Sequence, residues 1–278
     1  KSTVLIKTDT NGNEEWTSEF EDMNCVGEKL GQQTTDDGYV FLGNDNPDTW
    51  LVKTDCIGDE VWRKLHTDFL GRSISQTSDG GFIIGGIFKD GEISITCAIK
   101  TDGNGNQIWK EFYPYSNGYA IRQTSDGGYI LSASHNSLIK IDANGLEEWS
   151  KIFGGKKYTF PVVHQTSDGG YILGAYYGSA PYELLLIKTG EDGTFLWQKL
   201  IEGSYAMSYF SDIQHTSDDG YIVLVKKGIG GDVWLLKYEP EPNASPIVPY
   251  NPVPADSTEN ISIDTDLSWR GGDPDASD

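Results

Sequence analysis

One short phrase occurs five times along this chain of 278 residues, and its spacing limits what the chain can fold into. The phrase reads QTSDGGYIL at residues 123–131, and its copies align Gln33, Gln76, Gln123, Gln165 and His215. The intervals are 43, 47, 42 and 50 residues. Repeats of this length are typical of units that stack on one another, each too thin to bury its own apolar faces.

A second phrase alternates with the first and ends each time in a tryptophan. Its copies are KTDTNGNEEW (7–16), KTDCIGDEVW (53–62), KTDGNGNQIW (100–109), KIDANGLEEW (140–149) and KTGEDGTFLW (188–197). Asp-Gly-Gly and Asn-Gly supply the positive φ angles that tight hairpin turns need. Each unit is therefore predicted to be two hairpins. In the third unit, strands A to D cover 120–124, 128–133, 137–142 and 147–152.

A four-stranded sheet of this kind must be covered by its neighbours, so we predict an all-β chain that forms a β-propeller of five or six four-stranded antiparallel blades. The recurrent tryptophans are expected to pack between blades. They are Trp16, Trp62, Trp109, Trp149 and Trp197.

The strand count leaves two ways to close the ring. The sequence predicts five A–B hairpins, six C strands and five D strands. The segment around Trp16 could serve as the D strand after residue 239, which leaves the strand at 3–9 surplus. Alternatively, an A–B hairpin upstream of residue 1 would complete a sixth blade.

Composition excludes several classes of function. Asp and Glu outnumber Lys and Arg by 42 to 21, a net charge of -21, so nucleic acid is not an expected partner. No apolar run reaches the roughly 20 residues that span a bilayer. Cys25, Cys56 and Cys97 show no metal-ligand spacing; a Cys25–Cys56 disulfide and three free thiols both remain open.

No cofactor or metal is predicted. Residues 9–13, DTNGN, share residue types with a calcium loop, but the glycine comes two places early, so a hairpin turn is the favoured interpretation. His66, His135, His164 and His215 form no metal-ligand spacing and no nucleophile–base pair. His164 and His215 are expected to line a central channel as polar residues.

The two phrases resemble the repeat arrays of archaeal and bacterial secreted or cell-surface β-propeller proteins. The resemblance covers residues 1–240 and implies an extracellular or cell-surface protein. The first phrase is also similar to the tryptophan-docking repeat of quinoprotein dehydrogenases, with one residue fewer between Asp and Gly. Those enzymes carry adjacent cysteines near the quinone, and this sequence has no such pair.

The composition changes after the propeller segment (1–240). Prolines predict an extended linker at 241–251. Residues 252–278 resemble the beginning of an immunoglobulin-like or fibronectin-like module, which needs about 100 residues, so the natural chain is expected to continue. Asn243 and Asn260 lie in glycosylation sequons.

Loop variation indicates where a partner would bind. The A–B and C–D turns emerge on one face, named here the invariant face, because their sequences hardly change. The D–A and B–C connections form the variable face, where a rigid scaffold can carry individual recognition loops. Seven tyrosines on this face are the predicted ligand-binding residues: Tyr113, Tyr115, Tyr158, Tyr177, Tyr182, Tyr205 and Tyr209.

The leading hypothesis is a non-enzymatic extracellular scaffold that binds protein or carbohydrate at the cell surface, or that builds a surface layer or filament by self-association. The alternative is a carbohydrate-active or other hydrolytic enzyme on the variable face. Its candidate carboxylates are Glu111, Glu183, Glu202 and Asp212, which the sequence places in the loop set.

Overall fold

A computed structural model describes most of the repeat region and shows strands throughout. The described residues are 2–21, 23, 30–45, 47–153, 158–177, 183–201, 209–216, 220–226, 233–238, 250–253 and 268–270. No helix occurs within these ranges, and so none that could cross a membrane. The all-β prediction is confirmed.

Each blade is an antiparallel sheet whose strands follow chain order from the centre outward. Blade 1 contains β3 (Gly31–Gln33), β4 (Tyr39–Asp45), β5 (Asp48–Thr54) and β6 (Glu60–His66). Blade 2 contains β7 (Phe69–Gln76), β8 (Phe82–Asp90), β9 (Ile93–Thr101) and β10 (Gln107–Tyr113). Blade 3 contains β11 (Gly118–Gln123), β12 (Tyr129–Ala133), β13 (Ser137–Ile141) and β14 (Glu147–Ile152). Blade 4 contains β15 (Tyr158–Gln165), β16 (Tyr171–Tyr177), β17 (Glu183–Thr189) and β18 (Phe195–Leu200).

The two ends of the array are partial sheets. Blade 5 is described for three strands, β19 (Tyr209–His215), β20 (Tyr221–Lys226) and β21 (Val233–Tyr238). A leading hairpin, β1 (Ser2–Thr8) with β2 (Glu14–Glu21), occupies the C and D positions of a further sheet that precedes blade 1. The five blades with A–B hairpins form a propeller, as the repeat count predicts.

The first closure scheme, in which the Trp16 segment completes the last blade, is wrong for this structure. Trp16 lies in β2, which pairs with β1 through contacts such as Lys7 opposite Trp16. Among the described strands, β21 pairs only with β20. The reason is local: β1 and β2 are joined by the short turn at residues 9–13, so they pair with each other at little entropic cost.

The C strands of blades 1 to 4 form the core because both of their faces are covered by neighbouring sheets. In β13, all five residues are buried, and Leu138 and Ile139 have no exposed surface. Leu138 packs toward blade 4, in one cluster with Leu185 and Ile187. Ile139 packs toward blade 2, in a cluster with Ile83 and Ala98.

The recurrent tryptophans form docking contacts between blades. The Trp109 ring packs edge-on against Tyr129 of blade 3, with ring centroids 5.9 Å apart, and its Nε1 donates to the Ala143 carbonyl. Trp62 covers the turn glycine Gly105, where an added Cβ would lie 2.5 Å from the indole. The predicted packing of these rings between blades is confirmed where their contacts are described, and each ring is partly buried.

A buried lysine connects the two repeated phrases within each of blades 1 to 4. Lys100, on the C strand, is 4 % exposed; its Nζ lies 2.9 Å from Asp79 in the A–B turn and donates to the Thr101 carbonyl. Lys53, Lys140 and Lys188 repeat this ion pair with Asp36, Asp126 and Asp168. The second glycine of the turn is required here, since a Cβ on Gly81 would strike the Thr101 carbonyl and Lys100 Nζ.

The glutamine of the first phrase joins successive blades near the axis. Gln76 Oε1 accepts a hydrogen bond from the Thr35 amide of blade 1 at 2.9 Å. Gln123 and Gln165 accept the equivalent bonds from Ser78 and Ser125, each at 2.7 Å. The phrase therefore specifies contacts to the preceding copy of itself.

The second phrase forms the hairpin turn that its Asn-Gly predicts. Asp9 Oδ1 accepts hydrogen bonds from the backbone N–H groups of Asn11 and Asn13. Asp102 Oδ1 accepts the equivalent bonds from the backbone N–H groups of Asn104 and Asn106. These carboxylates satisfy backbone donors of their own turns.

Two cysteine thiols are free in the structure. Cys56 is exposed and Cys97 is buried, which raises the pKa of the Cys97 thiol to about 12. The Cys25–Cys56 disulfide therefore does not form here; Cys25 lies outside the described residues.

Beyond the propeller, only β22 (Tyr250–Val253) and β23 (Ser268–Arg270) are described, as one antiparallel pair. Asn243 and Asn260 lie outside the described residues.

Replacing a buried lysine should destabilise the fold far more than replacing its exposed counterpart. Lys100→Ala leaves the Thr101 carbonyl and Asp79 without their cationic donor, so we expect a loss of about 2–3 kcal/mol in the free energy of unfolding. Lys7→Ala is the matched control, because Lys7 holds the same phrase position but pairs with Glu15 at the exposed surface. Urea denaturation compares the two variants, and equal losses would contradict the role assigned to the buried pair.

The free energy of unfolding should decrease in two separate pH windows as the pH is lowered. Burial and the nearby Lys110 charge lower the pKa of His66 from 6.5 to about 4, so its contribution is present above pH 6.5 and is lost as pH falls toward 4. We expect this first loss to be roughly 2–3 kcal/mol and absent in His66→Leu. Hydrogen bonds from Thr34 and Lys53 lower the pKa of Asp36 to about 2, and Asp126 behaves alike, so a second loss should occur between pH 4 and 2. Urea midpoints at constant ionic strength test both windows; a His66→Leu profile identical to wild type would contradict the first.

Candidate functional site

Polar residues that differ from blade to blade collect on the inner strands β7, β11, β15 and β19. We name Ser73, Arg122, His164, Asp212 and Gln214 the inner-strand cluster. They occupy the positions one or three residues before the repeated Gln or His, so the first phrase places them at matching heights around the axis. The phrase determines where they lie, but the residue types are individual to each blade.

Arg122 is the most buried charge of the cluster. Its Nη1 donates to Ser73 Oγ of blade 2 at 2.8 Å and to the Ile121 carbonyl at 2.6 Å. Burial lowers the pKa of Arg122 to about 10, and attraction to Asp212 only partly opposes this effect. The guanidinium is therefore held in a position where its charge is poorly solvated.

Asp212 joins blades 4 and 5. Its Oδ1 lies 3.3 Å from His164 Nε2, and its Oδ2 accepts from Gln214 Nε2 at 2.7 Å. The side chains of His164 and Asp212 are 20 % and 25 % exposed, so this pair is accessible to solvent. A protonated His164 would donate a hydrogen bond to this carboxylate.

A stacked cation and aromatic ring lie at strand bulges next to this cluster. The register of β7 with β8 shifts between Gly71 and Ser73, and that of β11 with β12 shifts between Gly118 and Ala120. The extra residues at these bulges are Arg72 and Tyr119, and the Arg72 guanidinium lies 5.4 Å from the Tyr119 ring centroid. Bulges often redirect a side chain at functional sites.

The variable-face loops of blade 3 are held rigidly. Ser134 Oγ accepts from the amides of Ser116 and Asn117, and the Ser134 amide donates to the Asn117 carbonyl. We name residues 115–117 and 134–136 the blade 3 platform. His135 and Asn136 at its tip have φ angles of 61° and 62°, and His135 is exposed. Non-glycine residues with positive φ are uncommon, although histidine and asparagine are among the types enriched there.

The predicted tyrosines do not form one exposed set in the described part of the chain. Tyr113 is only 3 % exposed, and its hydroxyl donates to the Gly145 carbonyl of blade 3 at 2.8 Å. It is a core residue, so the prediction of an exposed binding ring is wrong there. Tyr115 is half-buried and packs beside the blade 2–blade 3 core.

The remaining five tyrosines stay untested as ligand residues. Tyr158, Tyr177 and Tyr209 lie in β15, β16 and β19, but their side chains are not described. Tyr182 and Tyr205 lie outside the described residues.

Of the four residues proposed for catalysis, only Glu111 and Asp212 have described side chains, and they lie in different blades. Asp212, expected in a loop, lies in the inner strand β19, and Glu111 lies in the outer strand β10. The side chains of Glu183 and Glu202 are not described. Within the described ranges, no group of three or more His, Cys, Asp or Glu residues is placed to hold a metal ion.

The sequence signal for the inner-strand cluster was present but incomplete. The sequence predicts that His164 lies at the channel, but it gives no signal for Arg122 or Tyr119, because the residues before each copy of the phrase differ from blade to blade. Aligning the residues before the five copies, rather than the copies alone, separates the individual positions from the repeated ones.

Comparisons with known proteins support the fold and no more. In sequence, the chain matches no protein-family model and no curated protein. In structure it is similar to the Dos1 propeller, with 11 % identity and a TM-score of 0.58 over 85 % of this chain. The match spans 62 % of the Dos1 propeller chain. A protein of unknown function from Dyadobacter fermentans DSM 18053 aligns with 11 % identity and a TM-score of 0.55, over 79 % of this chain and 82 % of its own.

Replacing Arg122 should reveal whether it is kept for stability. The Arg122 guanidinium is buried, and its surroundings disfavour the charged form. We therefore expect Arg122→Met to leave the free energy of unfolding within about 1 kcal/mol of wild type, or to raise it. Ser73→Ala serves as the companion variant that removes the hydrogen bond but keeps the charge. Chemical denaturation measures both, and a loss above about 3 kcal/mol for Arg122→Met would assign the arginine a structural role.

Proposed function

We propose that this protein is a non-enzymatic binding scaffold that recognises a protein or carbohydrate partner through its variable face. The proposal rests on the observation that the repeated residues and the residues individual to each blade have different roles. The repeated residues hold blades together, whereas the individual polar residues gather on the inner strands and in the variable-face loops.

The invariant face offers little to a partner. Asp36, Asp79, Asp126 and Asp168 bind a threonine hydroxyl, a glycine amide and the buried lysine of their own blade. Their hydrogen-bonding capacity is largely used by the fold. Chemistry that differs between blades therefore has to come from elsewhere.

The blade 3 platform and the Arg72–Tyr119 pair have the properties of a recognition surface. Backbone and side-chain hydrogen bonds fix the platform, so a partner would bind without much ordering of the loops. An aromatic ring, a guanidinium and an exposed imidazole can stack on sugar rings or hold a peptide segment through directed hydrogen bonds. This combination supports both partner classes.

An extracellular or cell-surface location is part of the proposal. It is supported by the resemblance of the repeat phrases, by the sequons at Asn243 and Asn260, and by the strongly acidic composition. A shared propeller fold alone does not specify a partner or a compartment.

Relieving the strained turn at the platform should weaken binding without harming the fold. His135→Gly keeps the positive φ and removes the imidazole, and we expect at least a fivefold weaker Kd for a partner found by glycan-array or peptide-library screening. Asp37→Gly is the matched control, because Asp37 has a φ of 64° on the invariant face. Thermal unfolding should be similar for both variants.

The screen also separates the scaffold from an enzyme. Equal binding by His135→Gly, Tyr119→Ala and wild type would exclude the platform and its neighbouring ring as the recognition surface. The alternative, a hydrolytic enzyme, would be supported if the protein turned over a glycan or peptide substrate and if a single carboxylate substitution, such as Asp212→Asn, abolished that turnover.

A further inference from the structure

The inner strands of blades 2 to 5 have one buried apolar side and one polar side. Two places before the repeated Gln or His, every blade has an apolar residue with no exposed surface: Ile74, Ile121, Val163 and Ile213. One place before it, every blade has a polar residue, whose side chain points the other way because side chains alternate along a strand: Ser75, Arg122, His164 and Gln214. Of these four, Ser75 and His164 are half-buried and Gln214 is exposed. The polar side of the inner strands therefore borders open space.

Arg122 is held by only one of its three nitrogens. Both of its hydrogen bonds come from Nη1, to Ser73 Oγ at 2.8 Å and to the Ile121 carbonyl at 2.6 Å. The N–H groups of Nε and Nη2 have no acceptor among the described residues. Neither atom is among the fully buried, unpaired polar atoms of the same residues, so both reach open space.

The edge formed by Nε and Nη2 is suited to a carboxylate. Its two parallel N–H groups match the two oxygens of a carboxylate in a bidentate contact. The Nη1 hydrogen bonds fix the orientation of the guanidinium before a ligand arrives, which lowers the cost of binding. The side chain is only 9 % exposed, and a charge-assisted hydrogen bond is stronger in such surroundings than in water.

The surroundings of Arg122 are determined by the middle of the array. It lies on β11 of blade 3, and the inner strands β7 and β15 of the two neighbouring blades both lie against β11. Its anchor, Ser73, belongs to β7. The orientation of the Nε–Nη2 edge is therefore a property of blades 2 to 4.

Asp212 adds a second requirement for a ligand. Its carboxylate attracts the Arg122 guanidinium, which partly offsets the effect of burial on the pKa of Arg122, but no ion pair joins the two side chains. A ligand with only negative charge, such as sulfate, would be repelled by this carboxylate. A ligand with a carboxylate and a nearby ammonium group would be attracted by both residues, and the 25 % exposure of Asp212 allows it to approach.

We propose that the inner-strand cluster binds a small zwitterion, with the carboxylate of the ligand on the Nε–Nη2 edge of Arg122 and its ammonium group toward Asp212. Free α-amino acids are the simplest ligands of this class. Ser73 is a positioning residue, because it holds Nη1. His164 and Gln214 position Asp212 through their contacts with Oδ1 and Oδ2. The site is independent of what the variable face binds.

Isothermal titration calorimetry of the whole chain with each common amino acid tests the proposal. Acetate, methylammonium and sulfate serve as probes of the separate charges. We expect at least one amino acid to bind with a Kd of about 1 mM or tighter, and about tenfold more tightly than any of the three single-charge probes, because two charged contacts replace one.

Substitutions at the two charges should have different effects. Arg122→Met removes the fork and Arg122→Lys keeps the charge without it, so both should weaken amino-acid binding about tenfold or more. Asp212→Asn should lower the preference for the amino acid over acetate by about fivefold without weakening the binding of acetate. Arg63→Met is the matched control, since Arg63 pairs with Glu60 on the outer strand β6, and it should bind as wild type does.

Circular dichroism should show that each variant is folded, and Asp212→Asn, which is nearly isosteric, keeps the test available if an arginine variant fails to fold. Three outcomes would each overturn the proposal. The first is that no amino acid binds at about 10 mM. The second is that acetate or sulfate binds as tightly as the best amino acid. The third is that folded Arg122→Met or Asp212→Asn binds the amino acid as wild type does.

Discussion

The architecture depends on one constraint, that the C strands of blades 1 to 4 are covered on both faces by neighbouring sheets. In β13 and the second half of β9, no residue is exposed, yet a single sheet has nothing of its own to cover its second face. A neighbouring sheet on each side is therefore part of the minimum stable unit. Leu138 and Ile139 of β13 meet this requirement, because Leu138 packs toward blade 4 and Ile139 packs toward blade 2.

The buried lysine shows how a polar residue can be tolerated in such a core. Lys140 is 3 % exposed but lies 2.7 Å from both Asp126 and Glu148. Its ion-pair partners are themselves largely solvated, so the pair bridges the core and the water at the invariant face. Burial raises the pKa of Asp126, but hydrogen bonds from Lys140 and Thr124 outweigh this effect and lower it to about 2. The ion pair between Lys140 and Asp126 connects the C strand to the A–B turn.

The sequence predicted the repeated parts of the structure well because each repeated residue performs a local task. The bounds of β12 and β14 match the predicted strands to within one residue, since Asp-Gly-Gly and Asn-Gly allow few other turn geometries. Tyr113 was misplaced for a different reason. Its neighbours Pro114 and Tyr115 suggested a loop, but its ring reaches the next blade and its hydroxyl satisfies the Gly145 carbonyl, a contact 32 residues away that no local pattern reveals.

The individual residues are harder to predict because their roles arise only after the blades are assembled. Ser73 and Arg122 are 49 positions apart and belong to different sheets, and their hydrogen bond exists because two inner strands lie side by side. A buried guanidinium with few partners contributes little to stability and often destabilises a fold. Its retention next to a stacked Arg–Tyr pair and a solvent-accessible His–Asp pair is more readily explained by recognition than by folding. The same reasoning applies to His135, whose left-handed backbone disfavours an imidazole that glycine or asparagine could replace at lower energetic cost.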